Sequence, residues 1–257
     1  MKPFRILMSS AFMLTSLLSA SFSAHSAIAP DRTRVIFNGE EKSVTIALKN
    51  SNPSLPYLAQ VWIDNDKLEK DTTYFIAQPP LQRIEPNSEG QIRIQPLPGA
   101  VKLPQDRESL FYFNVREIPP KPEKSNTLQL ALQTRIKFFY RPAAVTKLVD
   151  KLHPWQLQLT LSRQNDEVII DNPTPFYVVV SRVGNRPDVS VSGFKNIVLE
   201  PRAHIPLGIK SSELSNTPAM TYVDDFGGRR LLVFTCSGNN CKVDEDKSHD
   251  AEKKANK

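Results

Sequence analysis

The side chains that most often perform catalysis are few in this chain of 257 residues. Beyond the N-terminal segment the histidines are His153, His204 and His249, each far in sequence from the others and from the cysteines. No Gly-x-Ser-x-Gly, His-Glu-x-x-His, phosphate-binding glycine loop or Gly-x-Gly-x-x-Gly pattern occurs. We therefore predict no catalytic residues, no metal ligands and no cofactor, and we interpret the three histidines as surface residues.

The two cysteines, Cys236 and Cys241, lie in the stretch CSGNNC. Because the N-terminus predicts export (below), we expect them to form a disulfide. Closing so short a loop contributes about 2 kcal/mol in the loop-entropy model, enough to stabilise a final hairpin. The spacing differs from the Cys-x-x-Cys of redox catalysts, and no second pair of metal ligands accompanies it.

Two basic residues are candidates for binding an anion. Arg34 lies in PDRTRVIF and Lys137 lies in IKFFYRP, and both segments are predicted strands. Taken alone, each residue is interpreted as a solvated charge on a strand. A role for the pair rests on the family pattern described below.

The strand that must position Lys137 has the clearest pattern in the chain, NTLQLALQTRIKFFYRP, from Asn126 to Pro142. Its even positions form an apolar row: Leu128, Leu130, Leu132, Ile136, Phe138 and Tyr140. This period of two predicts a β-strand over Asn126–Arg141 of about 50 Å, two to three times the usual length. We expect part of the leucine row to face outward and to pair with a partner.

Similar short alternating segments, bounded by Pro, Asn, Asp and Gly, recur along the chain. No segment has a convincing helical period, and the strand density predicts an all-β fold of two β-sandwiches. In the first half we predict strands near 33–37, 43–50, 57–64, 91–95, 109–117 and 126–141. In the second half we predict strands near 156–162, 167–171, 176–183, 196–199, 204–209 and 231–236.

The N-terminus has the order of a secretory signal peptide: Lys2 and Arg5, an apolar run, then small residues. We predict cleavage after Ser26, with Ala27 as an alternative; the apolar run is too short for a membrane span. The predicted divisions are residues 1–26 as signal peptide, 27–145 and 146–243 as the two domains, and 244–257 as a charged, disordered tail. Cleavage lowers the net charge from +6 to +4, which gives little support to nucleic-acid binding.

Seven segments, in order over nearly the whole mature chain, resemble the PapD-like periplasmic pilus chaperones. They are PDRTRVIF, LPYLAQVWI, PPLQRIEP, LPQDRESLFYFNVREIPP, LQLALQTRIKFFYRP, DNPTPFYV and DDFGGRRLLVF. The resemblance implies two immunoglobulin-like domains in an L or boomerang arrangement. The short link between the last two strands of the first domain, without flanking cysteines, is similar to the short-loop branch of the family.

The resemblance also implies a function and a set of site residues. Such chaperones bind pilin subunits by donor-strand complementation, without nucleotide, and deliver them to an outer-membrane usher. The matching donor-strand residues are Leu128, Leu130 and Leu132, and the cations matching the anchor for the pilin's C-terminal carboxylate are Arg34 and Lys137. An interdomain ionic network matches Glu108, Arg141 and Asp225.

Some alternatives remain open on the sequence. An exported two-domain adhesin or pilus subunit would need a donor extension before its first strand, and a carbohydrate-binding β-sandwich or hydrolase would favour clustered tryptophans or paired acids. The only tryptophans, Trp62 and Trp155, are far apart. The free chaperone has a further possible partner, a second copy that caps its own exposed strand.

Overall fold

Residues 26–122, 126 and 128–255 are described by a computed structural model, and the alternating segments form strands there. The N-terminal domain contains β1 (Ile28–Pro30), β2 (Arg34–Asn38), β3 (Val44–Asn50), β4 (Tyr57–Asp64), β5 (Phe75–Gln78), β6 (Leu81–Ile84), β7 (Glu89–Pro96), β8 (Ser109–Ile118) and β9 (Gln133–Arg141). The C-terminal domain contains β10 (Thr160–Gln164), β11 (Glu167–Asp171), β12 (Val178–Gly184), β13 (Ile197–Leu199), β14 (His204–Lys210), β15 (Ala219–Val223), β16 (Arg229–Ser237) and β17 (Asn240–Val243). Helix α1 (Ala143–Thr146) follows β9, helix α2 (Glu245–Ala255) follows β17, and short 3-10 helices cover Pro98–Lys102, Trp155–Gln158 and Ser211–Glu213.

The N-terminal domain is a sandwich of two sheets. One has the order β1-β3-β7-β5 and the other β2-β9-β8-β4-β6. Their facing side chains, such as Ile46, Phe75, Phe113 and Phe138, are almost fully buried in one core. Pairing is antiparallel except between β2 and β9, which run parallel. This parallel pair is what brings the two predicted cations onto adjacent strands.

The C-terminal domain is a second sandwich whose two sheets share strand β16. Residues 229–233 of β16 pair with β15, and residues 234–237 pair with β17. The resulting order is β13-β12-β15-β16-β17-β10-β11-β14. Its core contains Trp155, Phe176 and Phe234, together with Val145 from helix α1. The change from one core to the other therefore occurs between Tyr140 and Val145. Two β-sandwich domains confirm the predicted fold class.

The predicted strand over Asn126–Arg141 is too long. The strand starts at Gln133, while residues 128–132 are irregular and 127 lies outside the described residues. Periodicity reports which way side chains point, but a strand also needs a hydrogen-bonded neighbour. Among the described residues before Gln133, the one backbone hydrogen bond with β8 runs from the N–H of Glu117 to the carbonyl of Leu132 (3.0 Å).

Several smaller elements also differ from the sequence prediction. Strands β1, β5, β6, β15 and β17 were not predicted, and the segment from Trp155 to Gln158 is a 3-10 helix rather than a strand. The missed strands have three to five residues, too few to show a clear period of two.

The predicted disorder of the tail 244–257 is wrong for residues 245–255, which form helix α2. The prediction failed because EDKSHDAEKKA has no apolar stripe, the usual signature of a docked helix. This helix is attached to β16 by polar contacts instead, with Ser248 buried. The signal-peptide prediction falls on residues 1–25, which lie outside the described residues. No helix in the described ranges is long and apolar enough to cross a membrane.

Candidate functional site

Arg34 and Lys137 occupy paired positions on the parallel strands β2 and β9. Their neighbours Val35 and Phe138 are in the core, so the alternation of each strand turns the two cations to the opposite face. Both side chains are half-buried. The Arg34 guanidinium donates a hydrogen bond from Nη1 to the carbonyl of Val223 (3.0 Å), on strand β15 of the other domain. The two cations therefore lie where the domains meet.

This pair of cations is electrostatically unsatisfied. Burial, and then the positive charge of Arg34, lower the pKa of Lys137, while burial lowers the pKa of Arg34 despite the nearby Asp225 and Asp224. Within the described residues neither cation forms an ion pair, and the buried Nε of Arg34 has no hydrogen-bond partner. An arrangement of this kind favours an incoming anion, and a carboxylate can accept charge-assisted hydrogen bonds from both side chains.

Beyond the cations, the even-numbered side chains of β9 continue as a row from core to solvent. Ile136, Phe138 and Tyr140 are buried in the N-terminal core. Leu132, Leu130 and Leu128 follow with 40%, 68% and 84% of their surfaces exposed. Isolated exposed leucines are common, but three on one irregular segment that continues a strand form an apolar surface open to a partner. This segment, residues 128–132, is called the leucine segment below.

The third group of predicted residues forms a cluster between the domains. Arg141 donates from Nε to Glu108 (2.7 Å), and its two terminal nitrogens donate to both oxygens of Asp225 (2.9 and 3.1 Å). Glu108 also accepts a bond from the backbone N–H of Tyr177 (2.8 Å). Arg141 and Glu108 are almost fully buried. Burial raises the pKa of Glu108 to about 7, although the Arg141 charge opposes the change.

Aromatic residues that the sequence analysis did not identify complete this interdomain cluster. The Arg141 guanidinium lies 5.0 Å from the ring centroid of Trp155 and 5.1 Å from that of Phe176, and the two rings stack at 4.2 Å. Phe139 of β9 contacts Tyr177 across the same boundary, at 5.6 Å. A signal was present in the sequence, because Phe139 is an apolar residue at an odd, otherwise polar position of β9.

The remaining predicted residues lie away from these sites. Cys236 and Cys241 form the predicted disulfide across the β16–β17 hairpin. His153 and His204 are exposed beside Asp150 and Asp171, and His249 is exposed on α2. In the described part of the chain no group of His, Cys, Asp and Glu is arranged to bind a metal ion.

The structure thus has two β-sandwich domains, a pair of cations where they meet and an exposed apolar segment, and comparison with known families identifies the class of protein. Residues 27–146 match the family described as "Pili and flagellar-assembly chaperone, PapD N-terminal domain". Residues 154–233 match "Pili assembly chaperone PapD, C-terminal domain". The chain belongs to this family of pilus-assembly chaperones, as the sequence analysis predicted.

Individual relatives support the same assignment. The chain is 49% identical to the probable fimbrial chaperone YfcS of Escherichia coli K12, over 93% of this chain and 94% of the relative. It is 47% identical to the chaperone protein PapD of Escherichia coli, over 87% and 92%. The crystal structure of the periplasmic chaperone SfaE is similar, with a TM-score of 0.63 and 28% identity over 80% of this chain and 98% of that one.

Proposed function

We propose that this chain binds pilus subunits by donor-strand complementation and delivers them to an outer-membrane usher. The observation that carries the proposal is the row of even-numbered apolar residues, which is buried in β9 from Tyr140 to Ile136 and continues into the exposed leucine segment from Leu132 to Leu128. An extended apolar segment of this kind can complete the sheet of a subunit that lacks a strand, with alternate side chains filling the subunit's core. A solved structure of the same fold contains the Salmonella enterica SafA pilin in complex with the SafB chaperone.

Burial of the leucine segment supplies the main free energy of binding. A fully buried leucine contributes about 1.5–3 kcal/mol relative to an exposed one. Leu128 and Leu130 are mostly exposed in the free chain, so their burial on binding is nearly the whole side chain. Ordering the irregular backbone of 128–132 opposes this gain.

Arg34 and Lys137 form the proposed anchor for the subunit's C-terminal carboxylate. Lys137 is on β9, which directly follows the leucine segment in the chain, so an anchored chain end determines which subunit residue lies beside each leucine. A shift of one residue would turn every apolar side chain to the wrong face. The two cations therefore set the register between the subunit and the leucine segment, in addition to attracting the carboxylate by their charge.

The interdomain cluster has a structural role in this proposal. Arg141 connects Glu108 of the N-terminal domain to Asp225 of the C-terminal domain, which restrains the two domains relative to each other. We further propose that residues 1–26 direct export and that the chain works in the periplasm, without a catalytic step or a nucleotide.

The proposal is tested by affinity capture from the periplasm of a pilus-forming cell. Wild type is compared with Lys137→Ala and with Lys49→Ala, which removes the same charge from an exposed position on β3. We expect wild type and Lys49→Ala to capture equal amounts of a small subunit. Lys137→Ala should capture at least about tenfold less, because it loses a charged hydrogen bond. Equal capture by all three proteins would contradict the anchor, and no subunit with wild type would contradict the function.

A further inference from the structure

Three paired residues form a row on the outer face of the C-terminal sandwich. Arg182 on β12 is paired with Thr221 on β15, and Thr221 is paired with Leu231 on β16. Residues that are directly opposite on neighbouring strands point to the same face of a sheet. The chain neighbours Tyr222 and Leu232 are in the core, so the row faces away from it.

A cavity of about 230 Å³ lies at this row. Besides the three residues of the row, it is lined by Pro187, Asp188, Arg229, Arg230 and Glu252. One water molecule needs about 10–15 Å³, so the cavity has room for a small ligand together with water. Its walls come from three strands, the loop after β12 and helix α2, so folding of the whole domain places them.

Two of the arginines at the cavity have no acidic partner. Arg182 is half-buried and donates from Nη1 to the carbonyl of Pro187 (2.8 Å), which holds the side chain with a neutral group. Arg229 is exposed. Within the described residues neither of them forms an ion pair, whereas Arg230 binds Asp224 through Nε (3.0 Å).

The cavity keeps an excess of positive charge despite two carboxylates. Asp188 lies 3.9 Å from the Nε of Arg186, which is not part of the cavity wall. Glu252 uses Oε1 to accept the backbone N–H of Leu231 (3.0 Å). Three arginines therefore line the cavity against two acids, and an entering anion is attracted.

Thr221 is a second and independent sign of a ligand. Its side chain is almost fully buried at the cavity, and its Oγ1 has no hydrogen-bond partner. In the part of the chain that the structure describes, it is the one hydroxyl buried in this way. A buried hydroxyl without a partner lowers stability, so such groups are rare in folded proteins. Beside Arg182, this hydroxyl can donate to an anion.

We propose that this cavity binds a phosphate group, either as the free ion or on a small molecule. A guanidinium group can donate two parallel hydrogen bonds to phosphate oxygens. A phosphate group carries about 1.5 to 2 negative charges near neutral pH, which matches Arg182 and Arg229 better than the single charge of a carboxylate does. The Thr221 hydroxyl donates to a further oxygen. The proposal does not depend on the subunit-binding function, because it uses neither the cation pair nor the leucine segment.

The first experiment titrates the full chain with sodium phosphate, which replaces sodium chloride at constant ionic strength, and follows the amide NMR signals. We expect saturable shifts centred on Arg182, Thr221 and Arg229. Arg229→Gln should weaken the affinity about tenfold, because it loses a charged hydrogen bond. Lys195→Gln removes the same charge from an exposed position in the same domain and should bind phosphate as wild type does.

The same titration with glycerol phosphate distinguishes the two sources of the group. Tighter binding of glycerol phosphate than of inorganic phosphate would identify a small phosphorylated molecule as the ligand. Equal binding of the two would identify the ion itself.

A second experiment uses Thr221→Val, which removes the hydroxyl and nearly keeps the shape of the side chain. Without phosphate, we expect a melting temperature equal to or above that of wild type, because an unpaired buried hydroxyl has been removed. Phosphate should bind about fivefold more weakly, as expected for the loss of one hydrogen bond. A threonine with a purely structural role would instead lower the melting temperature and leave the phosphate affinity unchanged.

Either of two results would overturn the proposal. One is the absence of saturable shifts in wild type with both probes. The other is an equal phosphate affinity of wild type, Arg229→Gln and Thr221→Val, because phosphate would then bind elsewhere on the molecule.

Discussion

At the residue scale, Arg34 and Lys137 show what a sequence can and cannot predict. The motifs PDRTRVIF and IKFFYRP identify them by family resemblance. Their side-by-side position depends on a parallel pairing between strands about a hundred residues apart, which local patterns do not encode. The bond from Arg34 to the carbonyl of Val223 also required the arrangement of the two domains, and so it was not predictable.

Glu108 makes a prediction about pH. Burial raises its pKa from 4.5 to about 7, so between these values the folded protein holds a proton that the unfolded chain releases. The stability that this proton contributes is fully present below pH 4.5 and is lost as pH rises through 7. Raising the pH from about 5 to about 8 should lower the melting temperature of wild type. We expect a smaller decrease for Glu108→Gln, which has no carboxyl group to titrate at this position.

The measurement is thermal unfolding of both proteins across this range at constant ionic strength. Asp244 provides no competing change, because hydrogen bonds with Lys247 lower its pKa to about 2. Parallel curves for wild type and Glu108→Gln would contradict the raised pKa of Glu108.

At the element scale, strand β9 shows which features of a strand the sequence periodicity predicts and which it does not. The alternation of apolar residues agrees with the face that Ile136, Phe138 and Tyr140 share in β9, whereas residues 128–132 are irregular and their leucines are exposed. It did not predict where the strand begins, because that depends on a neighbour to accept hydrogen bonds. Helix α2 is the opposite case: its contacts with β16 are polar, so a search for apolar stripes could not find it.

The β16–β17 hairpin makes a prediction about the disulfide. Cys236 and Cys241 are directly opposed, and their bond closes a six-residue loop. We expect Cys236→Ser to lower the free energy of unfolding by about 2 kcal/mol, measured by denaturant titration. Subunit capture should not change, because the hairpin is in the C-terminal domain and the leucine segment is in the N-terminal domain. Normal stability together with lost capture would show that the disulfide acts in binding instead.

At the scale of the whole molecule, the relation between the domains depends on a buried charge cluster. Arg141 contacts two carboxylates and two aromatic rings at the boundary. Gly227, with φ of +86°, approaches Thr33 of the other domain so closely that a Cβ would lie 2.2 Å from its hydroxyl oxygen. The sequence identified the three charged residues through the family motifs, but the aromatic stack and this close approach required the folded chain.

Arg141→Ala should therefore destabilise the protein by about 3–5 kcal/mol, because it leaves the buried Glu108 without its partner. Arg202→Ala is the matched control. It removes an exposed interdomain ion pair with Asp106 and should cost about 1 kcal/mol or less. Chemical denaturation compares the two variants, and equal losses would show that the buried cluster has no special role.

In the proposed complex the leucine segment enters the core of a subunit. The most direct measurement is the amount of subunit co-purified from the periplasm with Leu130→Glu and with Ala131→Glu, which places the same charge one residue away and on the opposite face when the segment is extended in the complex. We expect Leu130→Glu to abolish capture, because it buries a charge in an apolar groove, and Ala131→Glu to retain most of it. Equal capture by the two variants would contradict donor-strand complementation by this chain.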